Sequence, residues 1–240
     1  VDEEHLMTGS AAAGRGGPKA DACIVAEPSA LAVAPAHMGQ SAFPIEIAGR
    51  ACHSSRPENG DNALVAATRL IEAVMRYNAE LLARPAHPLL GHGRATPVLI
   101  SGGESHSAVP GRCVLTIDRR TLPAEDAANL RTEMEAVVAS AGVEAIIGAP
   151  APEVPGLDTP FDARITAATL AAAASVGAPA APVAVPGGTD APNFGCPAVI
   201  CGPGDLAQAH TADEFIELDQ LERAAQLYPG VAKRMLSQGK

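Results

Sequence analysis

Apolar positions along the chain follow two rhythms. Phe43, Ile45 and Ile47 alternate with other residues, the period of two expected of a strand with one buried face. Asn59-Gly60-Asp61-Asn62 breaks that pattern and supplies helix caps. Leu64, Thr68, Ile71 and Met75 then recur at helical spacing, with Val65 and Val74 beside them, which predicts a helix to about Arg84. Pro85 to Pro97 reads as a loop, and Val98-Leu99-Ile100 as a strand ending at Gly102-Gly103. Cys113, Leu115 and Ile117 alternate with Val114, Thr116 and Asp118 in a further strand. Pro123 suits a first helical turn, Leu130, Met134, Val137 and Val138 form an apolar stripe, and Gly142 stops it. Val143 to Ile147 supplies the last strand of the series.

The resulting order, β-α-β-β-α-β across residues 42 to 148, is the split βαβ or ferredoxin-like arrangement. The flanks differ in kind. Ile24-Val25-Ala26 runs into Glu27-Pro28, while residues 156–240 hold an Ala-rich helix (Phe161–Val176) and short strands at Val183–Val185 and Ala198–Cys201. A final helix starts near Asp219, and Pro229 is expected to kink or interrupt it. The simplest architecture is an α/β domain built from residues 1–37 and 153–240, with a ferredoxin-like unit, residues 38–152, inserted into it.

Composition narrows the possibilities. The 240 residues are 47% hydrophobic without a run of 18 apolar positions, so no membrane span is expected. A net charge of −10 without a Lys/Arg cluster argues against nucleic acid as a partner. Five cysteines without a CxxC pair suggest small buried thiols in a reducing compartment, hence a cytoplasmic protein. The chain opens at Val1 without a charged-then-apolar leader.

Chemistry-bearing residues gather at strand-like segments near both ends. Asp2-Glu3-Glu4, Glu27 and His210 offer carboxylates and an imidazole, the donors that a borderline divalent metal prefers. Adjacent Glu3 and Glu4 would face opposite ways in a regular strand, so a strand end or turn is needed to bring both to one site. Taken singly, Asp2-Glu3-Glu4 reads more readily as a solvated acidic turn and His210 as a structural or solvated histidine, and Glu27 has an exposed strand terminus as its alternative. A two-metal site needs more ligands than Glu4, Glu27 and His210 supply. The chain is accordingly expected to be the larger part of a metalloenzyme that lacks its N-terminus.

A run of motifs in a fixed order resembles the dinuclear-zinc M20 family of peptidases and amidohydrolases, whose members include acetylornithine deacetylase and succinyl-diaminopimelate desuccinylase. The run comprises Asp2-Glu3-Glu4, Glu27-Pro28, Gly39, Gly49-Arg50-Ala51-Cys52-His53-Ser54-Ser55 and Pro57-Glu58-Asn59-Gly60 with Asn62-Ala63. His87-Pro88-Leu89-Leu90-Gly91, Gly102-Gly103, Val109-Pro110 and Asp118-Arg119-Arg120 continue it. Gly188-Thr189-Asp190, Gly202-Pro203-Gly204 and His210-Thr211 close it.

The resemblance implies a set of roles. Glu3 would be the general base, and Glu4, Glu27 and His210 zinc ligands, with Glu214 a partner for His210. His53 would reach into a second subunit and steady an oxyanion, and Arg120 would grip a substrate carboxylate while Arg119 points the other way. Gly188 and Thr189 would lie on a substrate-side loop. Ser107 stands where the family has asparagine, with His106 beside it, and His5 where glycine is usual. The family's first zinc histidine and bridging aspartate would lie upstream of Asp2.

The implied activity is hydrolysis of the amide bond of an N-acyl amino acid, deacetylase- or desuccinylase-type, with two zinc ions per complete site and cobalt or manganese as substitutes. The implied partners are a small N-acyl amino acid or peptide and a second copy docked through residues 38–152. The 240 residues alone are expected to show little activity. A carboxypeptidase or dipeptidase of the same family, and a non-catalytic dimerisation or ligand-binding module, are the alternatives.

Overall fold

The computed structural model describes residues 7–237. Helix α1 (Thr8–Gly16) is followed by strands β1 (Cys23–Pro28), β2 (Ala36–His37), β3 (Gly39–Ala48) and β4 (Cys52–His53). Next come α2 (Ala63–Ala83), β5 (Arg94–Gly102), β6 (Ala108–Val109), β7 (Arg112–Thr121), α3 (Ala127–Ala141) and β8 (Ala145–Ile147). The series ends with β9 (Glu153–Val154), β10 (Leu157–Asp158), α4 (Arg164–Ser175), β11 (Ala184–Val185), β12 (Ala198–Gly202) and α5 (Leu218–Ser237). The chain divides into two compact units, residues 40–153 and residues 1–39 with 154–240.

In the unit of residues 40–153, the sheet runs β5-β7-β3-β8, the strand order of a ferredoxin-like fold. Phe43, Ile45 and Ile47 from β3 and Cys113, Leu115 and Ile117 from β7 share one core with residues of α2 and α3. Both helices therefore cover the same face of the sheet. Asn62 starts α2 by accepting the Leu64 and Val65 amides at 2.9 and 3.3 Å.

The buried stripe of α2 is Ala63, Ala66, Ala67, Leu70, Ala73, Val74, Tyr77 and Leu81. It lies one step round from the residues that the spacing suggested. Val65 and Met75 are more than half exposed, because alanines rather than larger side chains let this helix sit close on the sheet.

Three other expectations change. The predicted loop ends early, since β5 begins at Arg94 and passes through Pro97. β5 terminates the strand order given above, so the amide that Pro97 lacks costs no ladder bond on the open side. Helix α3 starts at Asp126, not Pro123, because Asp126 is the better cap and accepts the Ala128 amide at 3.4 Å. Pro229 does not break α5, which runs through it. Pro229 and Ala225, whose carbonyl the proline leaves without a helical donor, are both exposed, so water can satisfy the carbonyl.

In the other unit, parallel strands β1 and β12 pair from Cys23–Ala198 to Pro28–Gly202, with a register shift between Val25 and Pro28. β12 is buried along its whole length. Val199 and Cys201 pack with Ile165, Ala172 and Leu227 of α4 and α5, while Ala198 and Ile200 pack with Leu157, Val185 and Ala191. Alternate residues of one strand thus serve two cores, as in a covered parallel sheet. Strands β10, β2 and β11 form a second small sheet in that order.

Helix α1, which the periodicity did not reveal, docks on the turn at Ala191–Phe194. A Cβ on Gly14 would lie 1.8 Å from the Asn193 carbonyl oxygen, so only glycine allows that approach. Ser10 donates to Asp190 and accepts from the Asn193 side-chain amide, fixing the same contact.

Candidate metal-binding and catalytic site

The carboxyl ends of β1 and β12 lie side by side, the position where open α/β sheets place ligands. Gly202 permits this, because a Cβ there would meet the carbonyl oxygens of Ala26 and Glu27 at 2.3 and 2.4 Å. The turn after β1 wraps the end of β12: the Ser29 and Leu31 amides both donate to the Gly202 carbonyl, at 3.1 and 2.9 Å.

Beyond these ends is a cavity of about 430 Å³, lined in part by Glu27, Gly187, Gly188, His210, Glu214 and Phe215. Glu27, Gly188 and His210, chosen from sequence, thus meet on one cavity. Thr189 sits behind its wall at 2% exposure. The Thr189 hydroxyl is 3.2 Å from His37 Nε2 and accepts the Ala191 amide.

His37 is fully buried, and its Nδ1 lies 2.8 Å from the Met38 carbonyl, which can only accept. Nδ1 therefore carries the proton and Nε2 accepts from Thr189. Burial pushes the His37 pKa below its ordinary value, opposed by the Met38 hydrogen bond.

His210 occupies the left-handed region at φ 62°, unusual for a residue with a side chain. Its amide donates to Glu214 Oε1, and the Thr211 hydroxyl donates to the Gln208 carbonyl at 2.9 Å. Asp205 caps the turn Leu206–Gln208 through the Ala207 amide.

A divalent metal is implied by the resemblance, and the cavity's donors suit one. Its described lining includes Glu27, Asp205, Glu214 and His210 but no lysine or arginine. Carboxylate and imidazole are both zinc donors. Among the described residues no three His, Cys, Asp or Glu side chains converge as a metal-holding group. Glu3 and Glu4 lie outside the described residues.

In the other unit, β4 pairs with β6, setting His53 opposite Ala108, and the Ser54 amide donates to the Ser107 carbonyl at 2.9 Å. His53 and Ser107 are therefore neighbours. His53 Nδ1 accepts the Ser55 amide at 3.1 Å, so in the neutral ring the proton sits on Nε2. The ring is exposed and presents a donor to solvent.

Arg120 lies near the opposite end of β7 from Ala108, about 27 Å along the strand at 3.3–3.4 Å per residue from Arg112. Arg120 Nε donates to Asp118 at 2.8 Å, and Gln40 holds the other Asp118 oxygen at 2.7 Å. Arg119 points the other way, fully buried, with Tyr77, Glu125 and the Arg120 carbonyl as partners. This buried cluster was invisible in sequence, where Arg119 and Arg120 look alike; only the strand's alternation hinted that one of them faces inward.

The chain thus combines a ferredoxin-like unit with a parallel strand pair that has Glu27 at its end and His210 on the loop beyond. Residues 35–145 match the M20 peptidase dimerisation domain. The chain is 30% identical over 239 residues to acetylornithine deacetylase of Vibrio parahaemolyticus, covering 92% of this chain and 60% of that protein. It is 27% identical over 244 residues to acetylornithine deacetylase of Myxococcus xanthus, covering 93% and 60%.

Among solved structures, aminopeptidase PepT from Bacillus cereus superposes with a TM-score of 0.77 at 20% identity, over 98% of this chain and 62% of that one. An M20 family metallo-carboxypeptidase, Sso-CP2 from Sulfolobus solfataricus, gives 0.74 at 17%, over 98% and 69%. The chain thus contains an M20 peptidase dimerisation domain and is similar over most of its length to acetylornithine deacetylases. It spans about 60% of the length of the curated relatives it matches.

Proposed function

We propose that the chain is part of a zinc-dependent amidohydrolase that cleaves an N-acyl amino acid, deacetylase-type. The observation that carries this reading is the convergence of Glu27 and His210 on one cavity at the carboxyl ends of β1 and β12. The similarity to acetylornithine deacetylases supports the choice of an N-acyl amino acid over a longer peptide. Glu27 and His210, with Glu4, would hold zinc, which when bound supplies water activation and carbonyl polarisation.

The chain's own residues do the rest. Glu3 takes the proton from the attacking water. His53 donates Nε2–H to the oxyanion that develops on the amide carbonyl, a task the Ser55 amide prepares by occupying Nδ1. Arg120 offers a planar fork to the substrate carboxylate, Gly188 lines the substrate side of the cavity, and Ser107 would come with His53, while buried Thr189 supports the loop from behind instead of meeting substrate. His53 and Arg120 lie at opposite ends of one unit, farther apart than a small substrate reaches, which supports a donor arriving from a second copy.

The second copy would dock through residues 40–153. Val98, Leu99 and Ile100 are exposed on β5, the strand that ends the order above, and Val65, Met75 and Leu82 are exposed on α2, which packs against β5. A cytoplasmic location is part of the same reading, supported by five unpaired cysteines.

Zinc titration of the 240-residue chain by calorimetry tests the site. Wild type is expected to bind, and Glu27→Ala and His210→Ala to weaken binding at least tenfold each; a wild type that takes no zinc points to a non-catalytic module. Acyl-group profiling of the protein isolated from its native source then separates the substrates. Release of amino acid from N-acetyl or N-succinyl forms supports the deacylase reading, and cleavage of dipeptides alone replaces it with a dipeptidase.

A further inference from the structure

Nothing in the motif pattern explains why a residue with a side chain stands at position 210, where the backbone is left-handed at φ 62°. Glycine would adopt that conformation without strain. A histidine held there needs its surroundings to impose the geometry, and strained backbone of this kind marks places where a side chain's direction matters.

The segment supplies the constraint locally. Asp205 caps the turn at Leu206–Gln208, and the Ala209 amide returns to the Leu206 carbonyl at 3.1 Å. Thr211 ties back to Gln208 through its hydroxyl. The chain then turns across Ala212-Asp213, and Glu214 reaches back to accept the His210 amide. Glu214 and His210 both line the cavity that Glu27 enters from β1.

We propose that Glu214 is a positioning residue that holds His210 through its backbone amide and so aims the imidazole into the cavity, rather than serving as a metal ligand itself. This deepens the zinc-site reading above and rests on it for the identity of the ion. Oε1 is the acceptor of the His210 amide. A neutral amide side chain of the same length offers an acceptor at the same place, whereas it is a poor substitute for a carboxylate ligand. Glutamine and alanine therefore separate the two roles.

The experiment compares wild type, Glu214→Gln and Glu214→Ala in the 240-residue chain. Zinc affinity is read by competition with a chromophoric chelator, and His210 amide exchange by NMR in the zinc-free protein. Wild-type-like far-ultraviolet circular dichroism and melting are the check on folding. Positioning predicts that Glu214→Gln stays within about threefold of wild type in zinc affinity and keeps the His210 amide protected. Glu214→Ala should weaken zinc about tenfold or more, the range expected when a ligand's supporting hydrogen bond is removed, and should speed His210 exchange without metal.

Equal loss of zinc in both variants makes Glu214 a ligand and overturns the proposal, as does unchanged His210 exchange in Glu214→Ala. A wild type that binds no zinc defeats the metal-site reading alone, because the exchange comparison needs no metal.

Discussion

His37 shows how one buried side chain couples a strand to a loop. Its ring has a single workable tautomer, Nδ1–H to the Met38 carbonyl and Nε2 accepting from Thr189. Thr189 in turn takes the Ala191 amide, so the Gly187-Gly188 backbone on the cavity wall is anchored from behind. Protonation of Nε2 would set two donors against each other. Because burial lowers the His37 pKa in the folded state, the unfolded chain binds more protons below about pH 6.5. Stability contributed by neutral His37 is thus present above the unfolded value and is lost as pH falls through the folded one. Urea midpoints are expected to drop between pH 7.5 and 5.5, and the drop should shrink in His37→Gln; an equal drop in both would assign it elsewhere.

Sequence reading singled out Glu27 and His210, which line one cavity, through the ordered run of motifs that contains them and not through residue type alone. It had no way to see that Thr189 is sequestered or that Glu214 meets a backbone amide, since both depend on where the chain turns back on itself.

Between α2, α3 and β7 lies an ionic cluster. Arg119 Nε meets the Tyr77 hydroxyl at 3.1 Å, and its guanidinium lies 5.7 Å from the Tyr77 ring centre. Tyr77 donates to Glu133, which Arg84 meets at 2.8 Å. Burial, reinforced by the hydrogen bond to Glu133, pushes the Tyr77 hydroxyl up to about 12. Burial alone would raise Glu133, but hydrogen bonds from Tyr77 and Arg84 bring it below its ordinary value. A buried guanidinium with its partners in place is costly to break from one side. Arg119→Met should take the buried donor away from the Tyr77 hydroxyl and the Arg120 carbonyl, leave Glu125 with the more distant Arg84 as its cation, and lower unfolding stability by about 3 kcal/mol. Arg120→Met, one step along the strand and partly exposed, should cost about 1 kcal/mol or less. Urea denaturation of the pair checks the contrast, and equal losses would mean that burial does not set the difference.

At this scale the alternation along β3 and β7 was legible, as was the stop at Gly142, because strand and helix periods are local. The start of β5 and the buried face of α2 were not. Pro97 is harmless only at a sheet edge, and alanines become core only when a helix approaches closely.

For the whole molecule, the same difference in legibility separates the two units. Residues 40–153 are one continuous stretch whose elements are long enough for each to be read from its own periodicity, although Ile45 of β3 pairs with Ile147 of β8 at the far end of that stretch. The other unit draws one of its sheets from strands of two residues, β2, β10 and β11, and joins segments from both ends of the chain. No local pattern announces such pairings. The exposed Val98, Leu99 and Ile100 give a prediction that belongs to the assembly. Leu99→Lys with Ile100→Glu is expected to turn a dimer into a monomer in sedimentation velocity while leaving far-ultraviolet circular dichroism unchanged. A wild type that sediments as a monomer at micromolar concentration would remove residues 40–153 as the docking surface.

The contact of α1 with the turn at Ala191–Phe194 also has a consequence in time. Ser10 and Asp190 are 180 residues apart. At about 5–20 residues per second of synthesis, α1 leaves the ribosome roughly 9–36 s before the segment it docks on exists. β1 waits nearly as long for β12, since Cys23 pairs with Ala198. The ferredoxin-like unit waits less, because the whole of its sheet and both helices lie between those two events. During translation the middle of this chain can be finished and packed while α1 and β1 still lack these partners, which leaves both open to protection by a chaperone.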